Sequence, residues 1–119
     1  MESTYLTFEH ICKTGTYDDI QNFITNNNID INHDDNFYVE MLVRRGKIEF
    51  LELIKQHNGN LHDKDETLIH ITGLLGFIDC LEYLINDCDN DNGNWKSILD
   101  TNAYNNCIRT KHYIDKLTM

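Results

Sequence analysis

A pattern centred on glycine recurs along the chain and constrains its fold more than any other feature. Gly15, Gly46 and Gly76 stand 31 and then 30 residues apart, and each is followed by apolar residues at helical spacing. A further 30 residues lead to Asn106, and asparagine is the best substitute for glycine where φ is positive. The four segments that begin at these positions are GTYDDIQNFI, GKIEFLELIK, GFIDCLEYLI and NCIRTKHYID. The chain therefore contains about four copies of one unit.

A second apolar stripe precedes each of these positions. The residues seven places ahead of them are Phe8, Val39, Ile69 and Leu99. Each unit is thus predicted to form a helix, a tight turn and a second helix. Polar connectors follow the second helices, and Ile31 and Leu61 are predicted to be buried anchors within them.

A two-helix unit of this length cannot bury its apolar faces alone, whereas stacked copies share a continuous core. We therefore expect an all-α fold, a single domain over residues 1–119 that stacks about four helix-turn-helix units. Their approximate boundaries are 1–30, 31–61, 62–91 and 92–119. The first and last units match the pattern least well, as terminal capping repeats do.

Residues with special turn or capping preferences stand where these helices are expected to begin and end. Thr67 and Ser97 are predicted N-caps, because a hydroxyl can accept a hydrogen bond from an unpaired backbone N–H. The positions predicted to adopt a left-handed conformation after a first helix are Gly15, Gly46 and Gly76. Asn28 and Asn58 are predicted to do the same after second helices.

The composition limits the classes of partner and the compartment. The formal charge of −10 argues against nucleic acid or an anionic membrane as a partner, since both require a basic surface. No apolar stretch is long enough to span a bilayer, and the opening segment MESTYLTFEH lacks the pattern of a signal peptide. We expect an intracellular, cytoplasmic protein. Its four cysteines include no C-x-x-C pair and are predicted to be free thiols, with Cys12 and Cys80 buried and Cys107 more exposed.

Few residues suggest chemistry. His70 is interpreted as a structural hydrogen-bonding residue, and His57, His62 and Asp63 match no standard metal-ligand spacing. Neither a phosphate-binding nor a nucleophile motif occurs. We therefore expect neither a metal nor a cofactor, and an enzyme is the least favoured class of function.

The segment ETLIHITGLLGFIDCLEYLI resembles the ankyrin repeat, whose pattern runs G-x-T-P-L-H-x-A-A-x-x-G-H-x-x-V-V-x-L-L-L. The matching or similar positions are Thr67, Ile69, His70, Gly73, Gly76, Leu81, Leu84 and Ile85. The connectors NGNLHDKD and NNIDINHDD are similar to the turn of that family. The proline of T-P-L-H is absent, with Leu68 and Ile98 in its place, and the period is shorter than the family's usual value of about 33 residues. The short period and the asparagine-rich composition are similar to ankyrin proteins of giant DNA viruses.

The resemblance implies an ankyrin solenoid in which the first helices and connector tips form a concave surface that binds a protein. The residues predicted to contact the partner are Asp34, Asn36, Met41, Arg44, Arg45, Lys64, Glu66, Ile71, Leu74 and Leu75. Met41, Ile71 and Leu74 are apolar at positions that are usually exposed in such a stack, which favours protein docking. The alternative is that this thin solenoid buries part of the apolar strip itself. Trp95 lies outside the repeated apolar positions and is interpreted either as a cover for the last interface or as an exposed anchor.

The favoured hypothesis is a non-enzymatic protein-interaction module that binds through this surface. A viral source would make it an adaptor or a competitor of a host factor. One alternative is a structural subunit that self-associates through incompletely capped ends. Another is an acidic decoy of a nucleic-acid-binding protein.

Overall fold

The computed structural model describes residues 2–62, 66–87 and 107–117, and all regular structure within these ranges is helical. The predicted all-α fold is therefore confirmed for this part of the chain. The chain divides into two compact units, Met1–Asn60 and Leu61–Met119. The single-domain prediction stays a prediction. Lys64, Trp95, Ser97 and Leu99 lie outside the described residues.

The first unit consists of two helical hairpins. Its helices are α1 (Glu2–Thr14), α2 (Tyr17–Asn27), α3 (His33–Val43) and α4 (Ile48–Gln56). Helix α1 packs against α2 and α3, and α4 packs against α3 and α2. First helices thus pack against each other, as do second helices, and the predicted helix-turn-helix units are present here.

The core of this unit consists of the residues that the repeat pattern places on the inner faces of the helices. Phe8 and Leu42 are fully buried, one on each first helix, and Ile20 and Leu51 are fully buried on the second helices. Burial of a side chain of this size contributes about 1.5–3 kcal/mol. Ile31 is 1% exposed, which confirms its predicted role as a buried anchor between the hairpins.

The turn between α1 and α2 differs from the prediction. Gly15 is not among the residues with positive φ, so the left-handed conformation predicted for it is wrong. Instead, Thr16 caps α2: its hydroxyl accepts a hydrogen bond from the backbone N–H of Asp19, and the Asp19 carboxylate accepts one from the N–H of Thr16. A Cβ atom on Gly15 would lie 2.7 Å from the carbonyl oxygen of Ile11, so glycine is needed here for close approach.

The other predicted left-handed positions in the described residues are confirmed. Gly46 and Gly76 have φ of 74° and 75°, and Asn28 and Asn58 have φ of 49° and 63°. Both glycines stand between the two helices of a hairpin, and both asparagines follow a second helix. Glycine and asparagine adopt this conformation at the lowest steric cost, which explains why the pattern marks these turns.

The second unit contains α5 (Thr67–Leu75), α6 (Ile78–Asn86) and α7 (Ile108–Leu117). Helix α6 packs against both α5 and α7. Leu61 is 5% exposed, as predicted for an anchor. The prediction that Thr67 caps α5 is wrong, because the carbonyl oxygen of Glu66 already accepts hydrogen bonds from the N–H groups of Ile69 and His70. The helix therefore begins with Glu66 as its N-cap, and Thr67 is its first helical residue.

Among the described helices, none combines the length and apolar character that crossing a bilayer requires.

Candidate functional site

Arg45 was predicted to face a partner, but its side chain binds the protein's own backbone. Its Nη1 atom donates hydrogen bonds to the carbonyl oxygens of Cys12, at 3.0 Å, and Gly15, at 2.8 Å. These carbonyls lie at the end of α1, where a cation satisfies unpaired acceptors and complements the helix dipole. The guanidinium carbon also lies 4.7 Å from the centre of the Phe50 ring. Arg45 therefore ties the two hairpins of the first unit together, and because it is half-buried, its predicted contact with a partner stays a prediction.

Arg44 and Met41 remain accessible on the same helix. The Arg44 side chain is 58% exposed and lies 3.8 Å from a carboxylate oxygen of Glu40. An exposed pair of this kind contributes at most about 1 kcal/mol and does not fix the arginine. Met41 is half-buried. The predicted role of these two residues in binding stays a prediction.

Asp34 and Asn36 belong to an unusual backbone segment at the start of α3. Asp34, Asp35 and Asn36 have φ of 60°, 57° and 66°, three consecutive left-handed residues. Aspartate and asparagine tolerate this conformation better than most residues, because their short polar side chains can form local hydrogen bonds. The Asn36 amide donates a hydrogen bond to the carbonyl oxygen of Asn60, at 3.3 Å, which joins this segment to the connector after α4. Asn36 therefore has a structural role within the unit.

A cleft with a volume of about 520 Å³ lies between α1 and α3, and Asp34 is one of its lining residues. Its lining residues are Tyr5, Leu6, Glu9, His33, Asp34, Phe37 and Tyr38. The volume is within the range of pockets that bind small ligands or protein side chains. Leu6 and Phe37 are 67% and 41% exposed. Large apolar side chains exposed around a cleft mark a binding surface, and this cleft is the candidate functional site.

The aromatic rings of the cleft support one another. The ring of Tyr5 stacks on that of His33 with 3.9 Å between centroids and 16° between planes. Phe37 meets Tyr38 edge to face, with centroids 5.1 Å apart and an angle of 83°. Tyr38 also contacts the buried ring of Phe8, at 5.0 Å. The rings are therefore held by the core, which gives the cleft a preformed aromatic wall.

Two carboxylates also line this cleft, Glu9 on α1 and Asp34 on α3. Burial raises the pKa of the Tyr38 hydroxyl, and the negative charges of Asp34 and Glu9 raise it further. Both carboxylates therefore act on the Tyr38 hydroxyl. Glu9 also accepts a hydrogen bond from Lys13, whose Nζ lies 3.2 Å from Oε2.

A second cleft of the first unit, about 470 Å³ in volume, lies between α1 and α2. Its wall includes His10 and Asn22, and it includes Asp19, whose carboxylate is already used in capping α2. Besides His10, Phe23 is the aromatic residue in its lining, and the Phe23 ring stacks on Phe8 in the core. This cleft therefore offers less exposed apolar surface than the one between α1 and α3.

In the second unit, two predicted contact residues are buried. Ile71 is 8% exposed because it lies three residues after Leu68, on the same buried face of α5. Glu66 is 7% exposed, and its carboxylate oxygens both lie 3.1 Å from Nδ1 of His62. The predicted exposure of Ile71 and Glu66 is wrong. Leu74 and Leu75, in contrast, are 53% and 48% exposed.

His62 bridges two carboxylates. Its Nε2 lies 3.0 Å from Oδ2 of Asp87, and its Nδ1 faces Glu66. Glu66 precedes α5 and Asp87 follows α6, so the imidazole connects the two ends of this hairpin. Because carboxylates only accept hydrogen bonds, both contacts are satisfied together when both ring nitrogens carry a proton. Within the described ranges, no group of three histidine, cysteine or acidic side chains is arranged to hold a metal ion.

The described cysteines have the predicted exposure. Cys12 and Cys80 are buried, and burial raises the pKa of the Cys12 thiol to about 12 and also raises that of Cys80. Cys107 is partly exposed, and hydrogen bonding to Thr110 lowers its pKa. All three are free thiols.

Of the predicted contact residues, only Asp34 lines the candidate site. The side chains that sequence reasoning missed are Tyr5, Leu6, Glu9, His33, Phe37 and Tyr38. Leu6 and Phe37 did carry a signal, since both are large apolar residues outside the repeated apolar positions. Comparisons of the chain with family models, with curated proteins and with solved structures return no match.

Proposed function

We propose that the chain is a non-enzymatic protein-interaction module of the ankyrin type that binds a protein partner through its first helices. Three features of the fold support this assignment. The first unit stacks one helical hairpin on another, with α1 against α3 and α2 against α4. Gly46 and Gly76 have the same left-handed conformation between the helices of successive hairpins. The connector residues Ile31 and Leu61 are both buried.

The observation that carries the binding function is the cleft between α1 and α3. It presents exposed Leu6 and Phe37 beside ordered aromatic rings. Aromatic side chains that are rigid and partly exposed are enriched at the centres of protein interfaces. The proposed surface therefore lies on first helices, as the resemblance implies, but at their N-terminal ends. Of the residues predicted for contact, Asp34 lines this cleft, and Met41 and Arg44 lie further along α3.

The test compares two variants that replace an exposed leucine by glutamate, one in each unit. Leu6→Glu places a charge in the cleft, and Leu74→Glu places the same charge on the exposed end of α5. In an affinity capture from cells, quantified by mass spectrometry, we expect Leu6→Glu to lose the partners and Leu74→Glu to retain them. Circular dichroism verifies that both variants fold. If both variants recover the same partners as the parent, the cleft is not the binding surface.

Self-association is a second candidate function, and the second unit provides the observation that favours it. Leu74, Leu75 and Ile108 are 53%, 48% and 73% exposed. Exposed apolar side chains of this size are candidates for contact with another copy of the chain. Sedimentation over a range of protein concentrations tests this: a reversible dimer that Leu74→Glu abolishes supports self-association, and a monomer at all concentrations contradicts it.

A further inference from the structure

The cleft between α1 and α3 combines two features that together attract cations. The first is its set of aromatic rings, since the faces of such rings carry negative electrostatic potential. Tyr5 and Phe37 are the accessible rings, and Tyr38 is only 5% exposed. A cation within about 6 Å of such a ring gains roughly 0.5–2 kcal/mol, depending on its desolvation. The protein already contains this interaction elsewhere, since the Arg45 guanidinium lies over the ring of Phe50.

The second feature is the pair of carboxylates, Glu9 and Asp34, on the two helices that form the walls. Besides burial, the negative charges of both groups raise the pKa of Tyr38, which lines the same cleft. The net charge of the chain is −10, which steers cationic partners toward it from solution.

Glu9 already pairs with a cation of its own helix, Lys13. The Lys13 ammonium group lies 3.2 Å from Glu9 Oε2, and Lys13 is not among the residues that line the cleft. The lysine side chain is 57% exposed, and a pair so exposed is weak enough to be displaced by a partner that also contacts the rings. A cationic group of a partner would therefore compete with Lys13 for the carboxylate of Glu9.

We infer that the aromatic cleft between α1 and α3 binds a lysine or arginine side chain from a basic segment of the partner protein, with the rings of Tyr5 and Phe37 contacting its alkyl stem and cationic head and the carboxylates of Glu9 and Asp34 pairing with its charge. This inference rests on the proposed binding function and specifies the chemistry of the partner. A cationic head on an apolar stem fits a cleft in which exposed Leu6 adjoins aromatic rings and acids.

The test uses a lysine-rich peptide and a counterpart in which every lysine is replaced by norleucine, which keeps the apolar stem and removes the charge. Binding to the full chain is measured by isothermal titration, and aromatic proton shifts of Tyr5 and Phe37 are followed by NMR. We expect the lysine peptide to shift these rings and the norleucine peptide to bind at least tenfold more weakly.

Two double variants separate the site from the net charge. Glu9→Gln with Asp34→Asn removes the cleft carboxylates, and asparagine keeps the left-handed backbone of position 34. Asp18→Asn with Glu49→Gln removes two exposed carboxylates outside the cleft lining, so the total charge is the same. We expect about a tenfold loss of affinity for the first variant and less than about a twofold loss for the second.

Equal losses in the two double variants would overturn the inference, because the peptide would then respond to net charge alone. Equal affinity for the lysine and norleucine peptides would also overturn it, while leaving apolar docking of a partner intact. If Leu6→Glu retained all cellular partners while the lysine peptide still shifted the Tyr5 ring, the proposed function would fail and the cation site would stand.

Discussion

Arg45 Nη1 donates a hydrogen bond to the carbonyl oxygen of Gly15 across 30 residues of chain, the spacing of the repeat itself. The bond connects the turn of the first hairpin to the end of α3 in the second. A charged donor that satisfies the carbonyls at a helix end contributes more than an exposed ion pair.

Replacement of Arg45 is therefore expected to destabilise the first unit. For Arg45→Gln we expect the free energy of unfolding to fall by about 1–3 kcal/mol, because the carbonyls of Cys12 and Gly15 lose their donor. Arg44→Gln is the matched control, since Arg44 is exposed, and should change stability by less than about 0.5 kcal/mol. Urea unfolding followed by circular dichroism measures both, and similar values for the two variants would contradict the role of Arg45.

Substitution at Gly46 tests the turn conformation. Gly46→Ala places a Cβ at φ of 74° and should lower the free energy of unfolding by about 1–2 kcal/mol. Gly46→Asn should lower it less, because asparagine enters the left-handed region more readily. Thermal unfolding of the two variants ranks them, and an alanine variant as stable as the parent would show that this turn does not need a left-handed residue.

The His62 bridge makes a prediction for the second unit. His62→Ala leaves the carboxylates of Glu66 and Asp87 without the imidazole that both contact, and we expect a loss of about 1–3 kcal/mol. His112→Ala provides the control, because His112 is exposed on α7 and surface substitutions usually change stability by less than about 0.5 kcal/mol. Differential scanning calorimetry provides the comparison; equal melting temperatures for both variants would argue that the bridge is energetically neutral.

The cysteines are expected to differ in reactivity, since the thiolate is the nucleophile. The lowered pKa of Cys107 gives it a larger thiolate fraction at neutral pH than an ordinary cysteine, whereas Cys12, with a pKa of about 12, is almost entirely protonated there. Once most of the Cys107 thiol is ionised, a further rise in pH adds little to its reactivity. Cys12 stays unreactive at pH values below its raised pKa. Limited alkylation with iodoacetamide and peptide mapping should find Cys107 modified well before Cys12 and Cys80. Modification of Cys12 in the folded protein at a comparable rate would contradict the burial of that thiol.

The sequence predicted the helical hairpins because periodic apolar residues and left-handed turn residues are local signals. Gly46, Gly76, Asn28 and Asn58 could be assigned without knowledge of any contact. Gly15 could not, since its glycine is required by the approach of the Ile11 carbonyl rather than by φ. In the sequence, a glycine required for close packing cannot be distinguished from a glycine required for positive φ.

The candidate site was largely hidden from the sequence. Tyr5 and His33 stack face to face, but they are 28 positions apart and neither occupies a repeated apolar position. The sequence predicts that Arg45 is a surface cation, although its hydrogen-bond acceptors are backbone carbonyls. Every residue has a backbone carbonyl, so the residue types do not indicate which ones accept a hydrogen bond. The register of the repeat predicts that Ile71 is at the surface. Ile71 lies three residues after Leu68, however, and this spacing places both on the buried face of α5.

The stacking of hairpins in the first unit has a consequence for how that unit forms. The side-chain hydrogen bonds that link Tyr17, Cys12 and Gly15 of the first hairpin to Gln56 and Arg45 of the second join residues 30 to 39 positions apart. Short loops close rapidly and at small entropic cost, so topologies rich in such near-neighbour pairings reach the native state fast. Once the residues up to Asn60 have left the ribosome, the first two hairpins can therefore pack against each other. Their packing does not require the rest of the polypeptide to be synthesised.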